Sequence, residues 1–586
     1  MKKIVNKEET NKEKELVSSE SCENKKGSNN KLWFINWSVF LVIGVFLFLL
    51  IQRILMPRWN WPQNKENLTW SMEEFRNLEK NSVDVVFLGV SHMQYAISPM
   101  EIYKEYGIVS YNLSTSSQPL DMSYYLLEEA FKRQSPSYVV LDTSSLFFSD
   151  NRYVDSAMRR ALDPYPLSKE KIDAAKEYSV LTSDTSTKNK MERFNSIIFP
   201  IIYYHSNWKT LTKDNFVLGP NADYCTAGYV ISPIKGEAVT DKAGVDAMTD
   251  EMLKDDHRRF VTKISSGEVK TWEKEEDLYS PEIYENQREW LKKISQLCKD
   301  NNAKLIMIKL PVLAYNYDYL SSWTEVKYNI TKEFAEELGV DYYDFLYESD
   351  IDLDLKNDFL DSGWHLNYSG AVKASHYMGE YLVSNYHLAK KSSAYMDGHM
   401  ENYDKLARVA NIQLEGDFQK YTQLLQENSE DYIICIASRE CWKDNLLEND
   451  EKALNNLGLY KELKEYSDTG NAYAVLIDAG HIEYEQISNR RINYQYKFGG
   501  KVVDIISDGV LSGNTAEIYI YDDGGSKGSS ITINKTGLNI VVIDKATKKV
   551  VDSCYIDTNS EDEEEHSLIH SDNSNSYLYD IVYGDN

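Results

Sequence analysis

The sequence predicts an α/β fold in which a parallel β-sheet is covered by helices on both faces, in a three-layer αβα arrangement. From residue 81 onwards, short apolar runs alternate with stretches of helical periodicity, which is typical of parallel sheets with crossover helices. In the last third of the chain, apolar and β-branched runs are separated by turn-forming residues. We therefore expect a three-layer α/β domain followed by a smaller α+β or β-rich domain.

The individual elements follow from these local patterns. Strands are predicted at Val83–Leu88, Ile108–Tyr111, Tyr138–Leu141, Lys304–Ile308 and Asp341–Tyr343. Helices are predicted near 99–106, 121–133, 281–300, 322–337 and 369–386. Ser280-Pro281-Glu282 supplies an N-cap, a proline in the first turn and an acid beside the helix dipole, so it predicts the start of the third of these helices.

Length, charge and cysteine usage limit the function classes. A chain of 586 residues is too long for one ordinary core, so at least two folded domains are expected. The net charge of -28 argues against nucleic acid as a partner, because a phosphate-binding surface needs clustered Lys and Arg. The six cysteines form no C-x-x-C pair and have no histidine at metal-ligand spacing, so no metal and no cofactor is predicted.

An uncharged segment near the N-terminus predicts a membrane anchor. Residues Leu32–Ile51 carry no charge, and twenty such residues are enough for a helix to cross about 30 Å of hydrocarbon. Trp33 and Trp37 at one end, and Trp59 and Trp61 beyond the other, are typical of interfacial aromatic belts. We predict a single-pass protein of the cell membrane, with the N-terminus in the cytoplasm and the bulk of the chain outside.

The expected domain organisation follows the chain. A disordered tail (1–31) precedes the anchor (32–56) and a juxtamembrane segment (57–80). The α/β domain covers 81–390, with an insertion at about 150–275 that interrupts the strand–helix alternation. A polar, helical connector (391–415) leads to the last domain (416–586).

Two stretches of the α/β domain carry residue types suited to nucleophilic catalysis. Ser91 follows the first predicted strand, and His365 lies in a loop before the last helix, four residues after Asp361. Sites in parallel sheets form beyond the carboxyl ends of the strands, so these residues are expected on one rim. A serine nucleophile, a histidine base and an orienting carboxylate form the corresponding triad. By itself, a serine after a strand is more often a helix cap, but the Asp/His pair on the same rim favours catalysis.

"FLGVSHMQYAISP" (87–99) and "DSGWHLNYSGA" (361–371) together resemble the SGNH/GDSL hydrolases. The resemblance covers residues 80 to 390 and is closer to their membrane-anchored Gram-positive branch, akin to DltD and to alginate O-acetylation proteins. It implies an O-acyltransferase or esterase with Ser91, His365 and Asp361 as catalytic residues. It also implies a surface glycopolymer as substrate and a membrane-bound O-acyltransferase (MBOAT) as partner.

The chain departs from the pattern of this family at two places. Trp364 is inserted between the acid and the histidine, giving D-x-x-x-H in place of D-x-x-H and bringing Ser362 to the minus-three position. We predict that the loop bulges at Trp364 so that Asp361 still reaches His365. The G-x-N-D motif after the third strand is absent, so the oxyanion donors are open: the candidates are the Ser91 backbone N–H, Asn112 and Gln118. His205 is either a substrate contact at the rim or a residue packed on Trp208.

The C-terminal region resembles the ILEI/PANDER family. The matching segments are "IICIASRECWKDNLLENDEKALNNLG" (433–458) and "GLNIVVIDKATKKVVDSCYIDT" (537–558), which occur in reversed order here, so we infer a circular permutation. The resemblance implies carbohydrate binding. If it holds, Asn539–Ile543 and Tyr432–Ile436 belong to one sheet.

Two functions of different classes remain open from the sequence. The first is a membrane-anchored extracellular enzyme that transfers acyl (acetyl) groups to a surface polysaccharide or hydrolyses its esters. The alternative is a non-catalytic scaffold of the same fold that presents glycan to the acyltransferase partner, with the altered Asp/His spacing as a sign of decay.

Overall fold

The chain is described by a computed structural model. It covers residues 33, 35–56, 69–148, 155–180, 186–211, 213–216, 226–236, 282–311, 323–354, 357–361, 363–442, 446–459, 470–510, 512–558, 566–572 and 577–578. The predicted tail (1–31), the belt residues Trp59 and Trp61, and the loop residue Ser362 lie outside these ranges.

A five-stranded parallel sheet forms the centre of the first half of the chain, as the sequence predicts. Its strands lie in the order β2-β1-β3-β4-β5, and all neighbouring pairs are parallel. They are β1 (Val85–Leu88), β2 (Ser110–Asn112), β3 (Tyr138–Asp142), β4 (Lys304–Lys309) and β5 (Asp341–Asp344). From β1 the chain first passes to β2 on one side and then crosses back to β3 on the other side. This reversal of strand order is a topological switch point, and such a point opens a crevice at the carboxyl ends of the strands.

Helices cover both faces of this sheet, which gives the predicted three layers. Side chains of β1 alternate between two separate cores: Val86 and Leu88 belong to one, and Val85 and Phe87 to the other. The first core also contains residues of the helices Leu120–Phe131 and Glu285–Asp300, and the second contains residues of Pro99–Tyr106 and Tyr368–Tyr386. The remaining α-helices of this half are Thr69–Asn77, Ser91–Ala96, Asp155–Leu162, Lys169–Val180, Thr187–Ile198, Ile201–Tyr204, Trp323–Leu338 and Phe345–Glu348.

The predicted start of the helix at 281–300 is wrong. Ser280 and Pro281 lie outside the described ranges, Glu282 is not helical, and the helix begins at Glu285. Ile283 is buried in the core, and its carbonyl accepts a hydrogen bond from Arg288 Nε. Burial of Ile283 therefore fixes the chain in a non-helical conformation ahead of the helix.

The last third contains two antiparallel sheets with apolar side chains packed between them. The larger has the order β14-β13-β12-β6-β7-β8, and the smaller has the order β11-β10-β9. The strands are β6 (Tyr432–Arg439), β7 (Ala472–Asp478), β8 (His481–Ser488), β9 (Ile492–Phe498), β10 (Lys501–Ser507), β11 (Ala516–Asp522), β12 (Gly537–Asp544), β13 (Val550–Ile556) and β14 (Ile569–His570). The predicted pairing is confirmed, because β12 and β6 are antiparallel neighbours with Ile540 opposite Ile436.

The predicted connector is a 21-residue helix, Ala394–Leu414, that packs on both halves. The Tyr403 hydroxyl lies 2.8 Å from Ser98 Oγ in the α/β half, and Gln413 Nε2 donates to the Val551 carbonyl on β13 at 2.5 Å. The apolar side chains of this helix belong to one continuous core that includes residues of both halves. The helices Phe418–Glu427 and Glu448–Asn456 complete the second half.

One apolar helix, Ile35–Leu55, is long enough to cross a membrane. It has 21 residues, a mean hydropathy of 2.5 and 6% of its residues buried. Its last turn is held by the folded part: Leu55 and Met56 are buried, and Arg53 Nη2 lies 2.8 Å from Glu73 Oε1. The sequence prediction of an N-terminal helix of membrane-spanning length is thus confirmed.

Candidate active site

Ser91 stands at the switch point of the sheet, on the first residue of the short helix Ser91–Ala96. Val90 is the N-cap residue, and no side chain caps this helix. The Ser91 hydroxyl lies 2.8 Å from His365 Nε2. The reading of Ser91 as a helix cap is therefore wrong, because its hydroxyl contacts a histidine instead.

Gly89 brings the nucleophile loop close to the end of β3. A Cβ atom at position 89 would lie 2.6 Å from Asp142 Cβ and 3.0 Å from Met93 Cβ, both closer than real side chains pack. Asp142 is fully buried and caps the 3₁₀ helix Thr143–Phe147 through the Ser144 N–H. The glycine ahead of Ser91 is thus required by close approach of two strand ends.

The loop that carries the acid and the histidine is a short, closed turn. The Leu360 N–H donates to the His365 carbonyl at 3.0 Å, and Phe359 and Leu366 form an antiparallel bridge. Gly363 has φ 98°, a conformation that L-residues with a side chain rarely adopt. The inserted Trp364 is accommodated by this turn, so the insertion does not separate the ends of the loop.

Asp361 makes three contacts inside this turn. Its Oδ1 accepts hydrogen bonds from the backbone N–H groups of Trp364 (2.8 Å) and His365 (3.0 Å), and its Oδ2 lies 2.6 Å from His365 Nδ1. Burial alone would raise the pKa of Asp361, but the hydrogen bonds from His365 and Trp364 hold this pKa below its usual value. The predicted contact between Asp361 and His365 is present.

These contacts determine the tautomer of His365. An ionised carboxylate can only accept hydrogen bonds, so Nδ1 carries the proton and Nε2 is the acceptor. Nε2 then accepts the hydrogen bond of the Ser91 hydroxyl at 2.8 Å. Asp361, His365 and Ser91 form one hydrogen-bonded chain in the order that proton transfer from the serine requires.

A segment of the predicted insertion braces this loop. The Gly236 N–H donates to the Phe359 carbonyl at 3.0 Å, and a Cβ at Gly236 would lie 2.3 Å from the Asp361 nitrogen. The Tyr368 N–H donates to the Ser232 carbonyl at 2.8 Å, at the start of the following helix. Residues 226–236 therefore hold the Asp361–His365 loop and also contact the end of β2, where the Asn112 N–H donates to the Ala227 carbonyl at 2.9 Å.

Asn112 is not available as an oxyanion donor, which corrects the sequence prediction. Its Nδ2 donates to the carbonyls of Met93 (2.9 Å) and Ile97 (3.0 Å), which uses both hydrogens of the amide. Its Oδ1 accepts from the Ser114 N–H at 3.1 Å. Asn112 instead ties the end of β2 to the helix that begins at Ser91.

Gln118 and His205 do not join the triad either. Gln118 is buried, and its Nε2 donates to Ser123 Oγ at 3.0 Å. His205 is exposed, and its Nδ1 lies 3.0 Å from the carbonyl of Ile202 in the preceding helix. Two residues further on, Asn207 Nδ2 donates to the Leu55 carbonyl at 3.2 Å, so His205 belongs to the region around the apolar helix. No described contact links either side chain to Ser91 or His365.

Two side chains near the triad, Ser144 and Lys309, were missed by sequence reasoning. Ser144 Oγ lies 2.9 Å from Asp142 Oδ1, 2.8 Å from Lys309 Nζ and 3.0 Å from His92 Nδ1. The His92 ring is 5.3 Å from the His365 ring and is parallel to Trp364 within 16°. Ser144 and Lys309 lie at the carboxyl ends of β3 and β4, and that position is the signal that could have found them.

The hydrogen bonds around Ser144 place a proton on His92 Nδ1. The Ser144 hydroxyl donates to the Asp142 carboxylate, which leaves its two lone pairs for the Lys309 ammonium and the His92 Nδ1–H. Desolvation, and then electrostatic interactions with Lys309 and His365, lower the pKa of His92 well below its usual value, which disfavours a charged ring. The described hydrogen bond of the Ser91 hydroxyl goes to His365 and not to His92.

One group outside this site has metal-ligating side chains, but its geometry describes an ion pair. The ligand atoms of Asp552, Cys554 and His570 all lie within 4.8 Å of one another. His570 Nδ1 contacts the Asp552 carboxylate at 3.0 Å, and its Nε2 contacts the Glu415 carbonyl at 2.9 Å. Both partners are acceptors, so both ring nitrogens carry protons and neither has a lone pair for a metal.

Comparison with known proteins places the chain in a family. Residues 59–366, more than half of the chain, match the family described as "Protein of unknown function" (DUF1574), and the matched range contains Ser91, Asp361 and His365. The chain belongs to this family. No curated protein sequence is detectably similar.

A solved structure of a candidate acylhydrolase from Bacteroides fragilis aligns with 56% of this chain and 99% of its own, at 12% identity and a TM-score of 0.25. A similarity this low says nothing about the function of this chain.

Proposed function

We propose that this protein is a membrane-anchored, extracellular SGNH-type enzyme that transfers or hydrolyses O-acyl groups of a cell-surface polysaccharide. The observation that supports this most is the hydrogen-bonded chain from Asp361 through His365 to Ser91, with steps of 2.6 Å and 2.8 Å. It lies at the switch point of a parallel sheet, where sites of such folds occur. The motifs around Ser91 and His365 and the N-terminal apolar helix agree with the membrane-anchored branch of these hydrolases.

The reaction would proceed through an acyl-enzyme. Ser91 Oγ attacks the carbonyl carbon of the ester while His365 Nε2 takes the serine proton, and Asp361 stabilises the imidazolium that forms. Collapse of the tetrahedral intermediate breaks the bond to the leaving alkoxide, which receives the proton from His365. A sugar hydroxyl or water then gives its proton to His365 and attacks the carbonyl carbon of the acyl-serine. The bond from this carbon to Ser91 Oγ breaks, His365 returns the proton to Ser91 Oγ, and a new ester or a free acid leaves.

The oxyanion needs donors that the family motif does not supply here. The backbone N–H of Ser91 lies at the first residue of its helix, where no intrahelical carbonyl can accept from it. We assign this group as one donor, since electrostatic stabilisation of the oxyanion is a large part of such catalysis. Asn112 is excluded by its own hydrogen bonds.

The partners follow from the same resemblance. An MBOAT partner would deliver acyl groups across the membrane, and the surface glycopolymer would accept or lose them. The C-terminal sheets would hold the glycan: the half-buried Tyr484 and Tyr494 on β8 and β9 stack at 3.7 Å, and aromatic side chains suit sugar rings. The alternative of a non-catalytic scaffold was based on the altered Asp/His spacing. Because Asp361 contacts His365 despite this spacing, the spacing does not favour that alternative.

Labelling by a fluorophosphonate probe, together with turnover of a small acetyl ester, tests the enzyme assignment. Ser91→Ala should abolish labelling and lower turnover by on the order of 10⁴-fold or more, while thermal stability changes little. Ser135→Ala, an exposed serine of the same half, is the matched control and should behave like the wild type. Equal turnover of a folded Ser91→Ala variant and the wild type would reject the catalytic role.

A further inference from the structure

Exposed aromatic side chains are concentrated in one segment of the folded part. Phe199, Ile202, Tyr203, Trp208 and Phe216, which we call the 199–216 patch, all stay exposed, with Trp208 at 64% and Phe216 at 59%. Beyond residue 56, and among the side chains whose exposure the structure describes, the exposed Phe, Tyr and Trp residues all belong to this patch. Single exposed apolar residues are ordinary, but a clustered set of this kind marks a binding surface.

The patch lies against the end of the apolar helix. The Phe199 ring contacts the Phe48 ring edge-on, with 5.9 Å between the centroids. Asn207 Nδ2 donates to the Leu55 carbonyl at 3.2 Å, and Asn215 Nδ2 donates to the Ile54 carbonyl at 2.9 Å. These hydrogen bonds join residues on both sides of Trp208 to the last turn of the helix, so the position of the patch along the helix is fixed.

The patch extends across the level of the first charge that follows the apolar span. Trp208 and Phe216 are next to the asparagines that bind the carbonyls just beyond Arg53, and Phe199 lies further towards the middle of the helix. Arg53, paired with Glu73, is the first charged residue after the uncharged segment, and a charge of this kind stays near the membrane surface. Phe48 precedes Arg53 by five residues, which is about 7.5 Å along a helix. Phe199 contacts Phe48 and therefore lies on the hydrocarbon side of this charge.

We propose that the 199–216 patch inserts into the leaflet around the end of the apolar helix and binds lipid. Its composition fits this partner, since Trp and Tyr prefer the level of the headgroups and their apolar bodies face the acyl chains. Lys209 Nζ lies 5.7 Å from the centroid of the Trp208 ring and provides a cation for lipid phosphates. The inference rests on the membrane anchor of the proposed function, but not on the chemistry of Ser91.

Photocrosslinking of the full-length protein in its native membrane tests this proposal. p-Benzoylphenylalanine is introduced singly in place of Trp208, Phe216, Phe40 or Ile569, and the adducts are identified by mass. Phe40 lies within the apolar helix, and Ile569 is a residue of the last strand that is about half exposed. We expect lipid adducts at 208, 216 and 40, and at least tenfold less lipid adduct at 569.

The outcomes distinguish insertion of the 199–216 patch from membrane anchoring by the apolar helix alone. Lipid adducts at 40 together with protein adducts at 208 and 216 would overturn it in favour of an integral membrane protein as the partner. Adducts at 40 with none at 208 and 216 would overturn it as well, and the anchor would stand. Absence of lipid adducts at 40 would reject the anchor and the inserted patch together, while probe labelling of Ser91 would still report on the enzyme.

Discussion

Replacement of Asp361 by asparagine should change the tautomer of His365 while leaving the loop intact. The asparagine oxygen can still accept from the backbone N–H groups of Trp364 and His365, which now bind Asp361 Oδ1 at 2.8 Å and 3.0 Å. The amide nitrogen then takes the position of Oδ2, 2.6 Å from His365 Nδ1. Because an NH₂ group donates, Nδ1 must become the acceptor, and Nε2 must carry the proton.

With a proton on Nε2, His365 cannot accept the proton of Ser91. The variant therefore lacks a general base, although the His365 ring keeps its position. A change of this type lowers turnover in a serine triad by about 10⁴-fold, which corresponds to about 5 kcal/mol of activation free energy. The assay is turnover of a small acetyl ester by Asp361→Asn, with thermal unfolding of the same sample. The unfolding temperature should stay close to that of the wild type, because the backbone hydrogen bonds of the loop are kept.

Asp358→Asn is the matched control. Asp358 is a buried acid three residues away that binds Ser369 Oγ and Lys373 Nζ, both at 2.7 Å, and does not touch His365. It should lose stability and keep most of its turnover. Turnover of Asp361→Asn within tenfold of the wild type, or an equal loss in Asp358→Asn, would refute the orienting role of Asp361.

Three further predictions concern the scaffold. Gly89→Ala places a methyl group 2.6 Å from Asp142 Cβ, so it should destabilise the protein by about 1–3 kcal/mol in denaturant unfolding and reduce probe labelling of Ser91; wild-type stability would contradict the close approach. Asn112→Ala removes three buried hydrogen bonds and should cost about 1–3 kcal/mol, yet the folded fraction should keep its turnover, and a large loss of turnover at full folding would restore the oxyanion role. Burial opposes protonation of His570, but Asp552 and the Glu415 carbonyl raise its pKa. Its contribution to stability should therefore be complete below the unfolded-state pKa of about 6.5 and be lost as pH rises through the folded-state pKa. His570→Gln should accordingly cost more unfolding free energy at pH 6 than at pH 9, and a pH-independent difference would disprove the ion pair.

Much of the fold could be predicted because its signals are local. Strands β1, β3 and β4 of the parallel sheet contain continuous apolar runs that are buried, and β1 to β5 differ from the predicted ranges by no more than two residues at either end. Ser91 and His365 could be found because both stand at places that a parallel sheet brings together. The contact of Asp361 with His365 depended on a bulge that the positive φ of Gly363 makes possible.

The failures have a common physical cause. Asn112 has the right residue type near the right strand end, but its amide is used by backbone carbonyls 15 and 19 residues earlier. Ser144, Lys309 and His92 come from three different strand ends, and only the folded chain shows that one hydroxyl joins them. Polar side chains select their partners in three dimensions, so residue type and position along the chain do not determine which donors remain available.

The hydrogen bonds that hold the end of the apolar helix make it a rigid stem and not a flexible tether. Asn207 and Asn215 bind the carbonyls of its last turn, and Arg53 is paired with Glu73. With this stem in a bilayer, the folded part cannot rotate freely relative to the membrane. The opening of the site therefore stays at a constant distance from the membrane surface. Lateral diffusion then moves Ser91 within a single plane. Under the proposed function, the esters within reach are those on polymer segments that cross this plane.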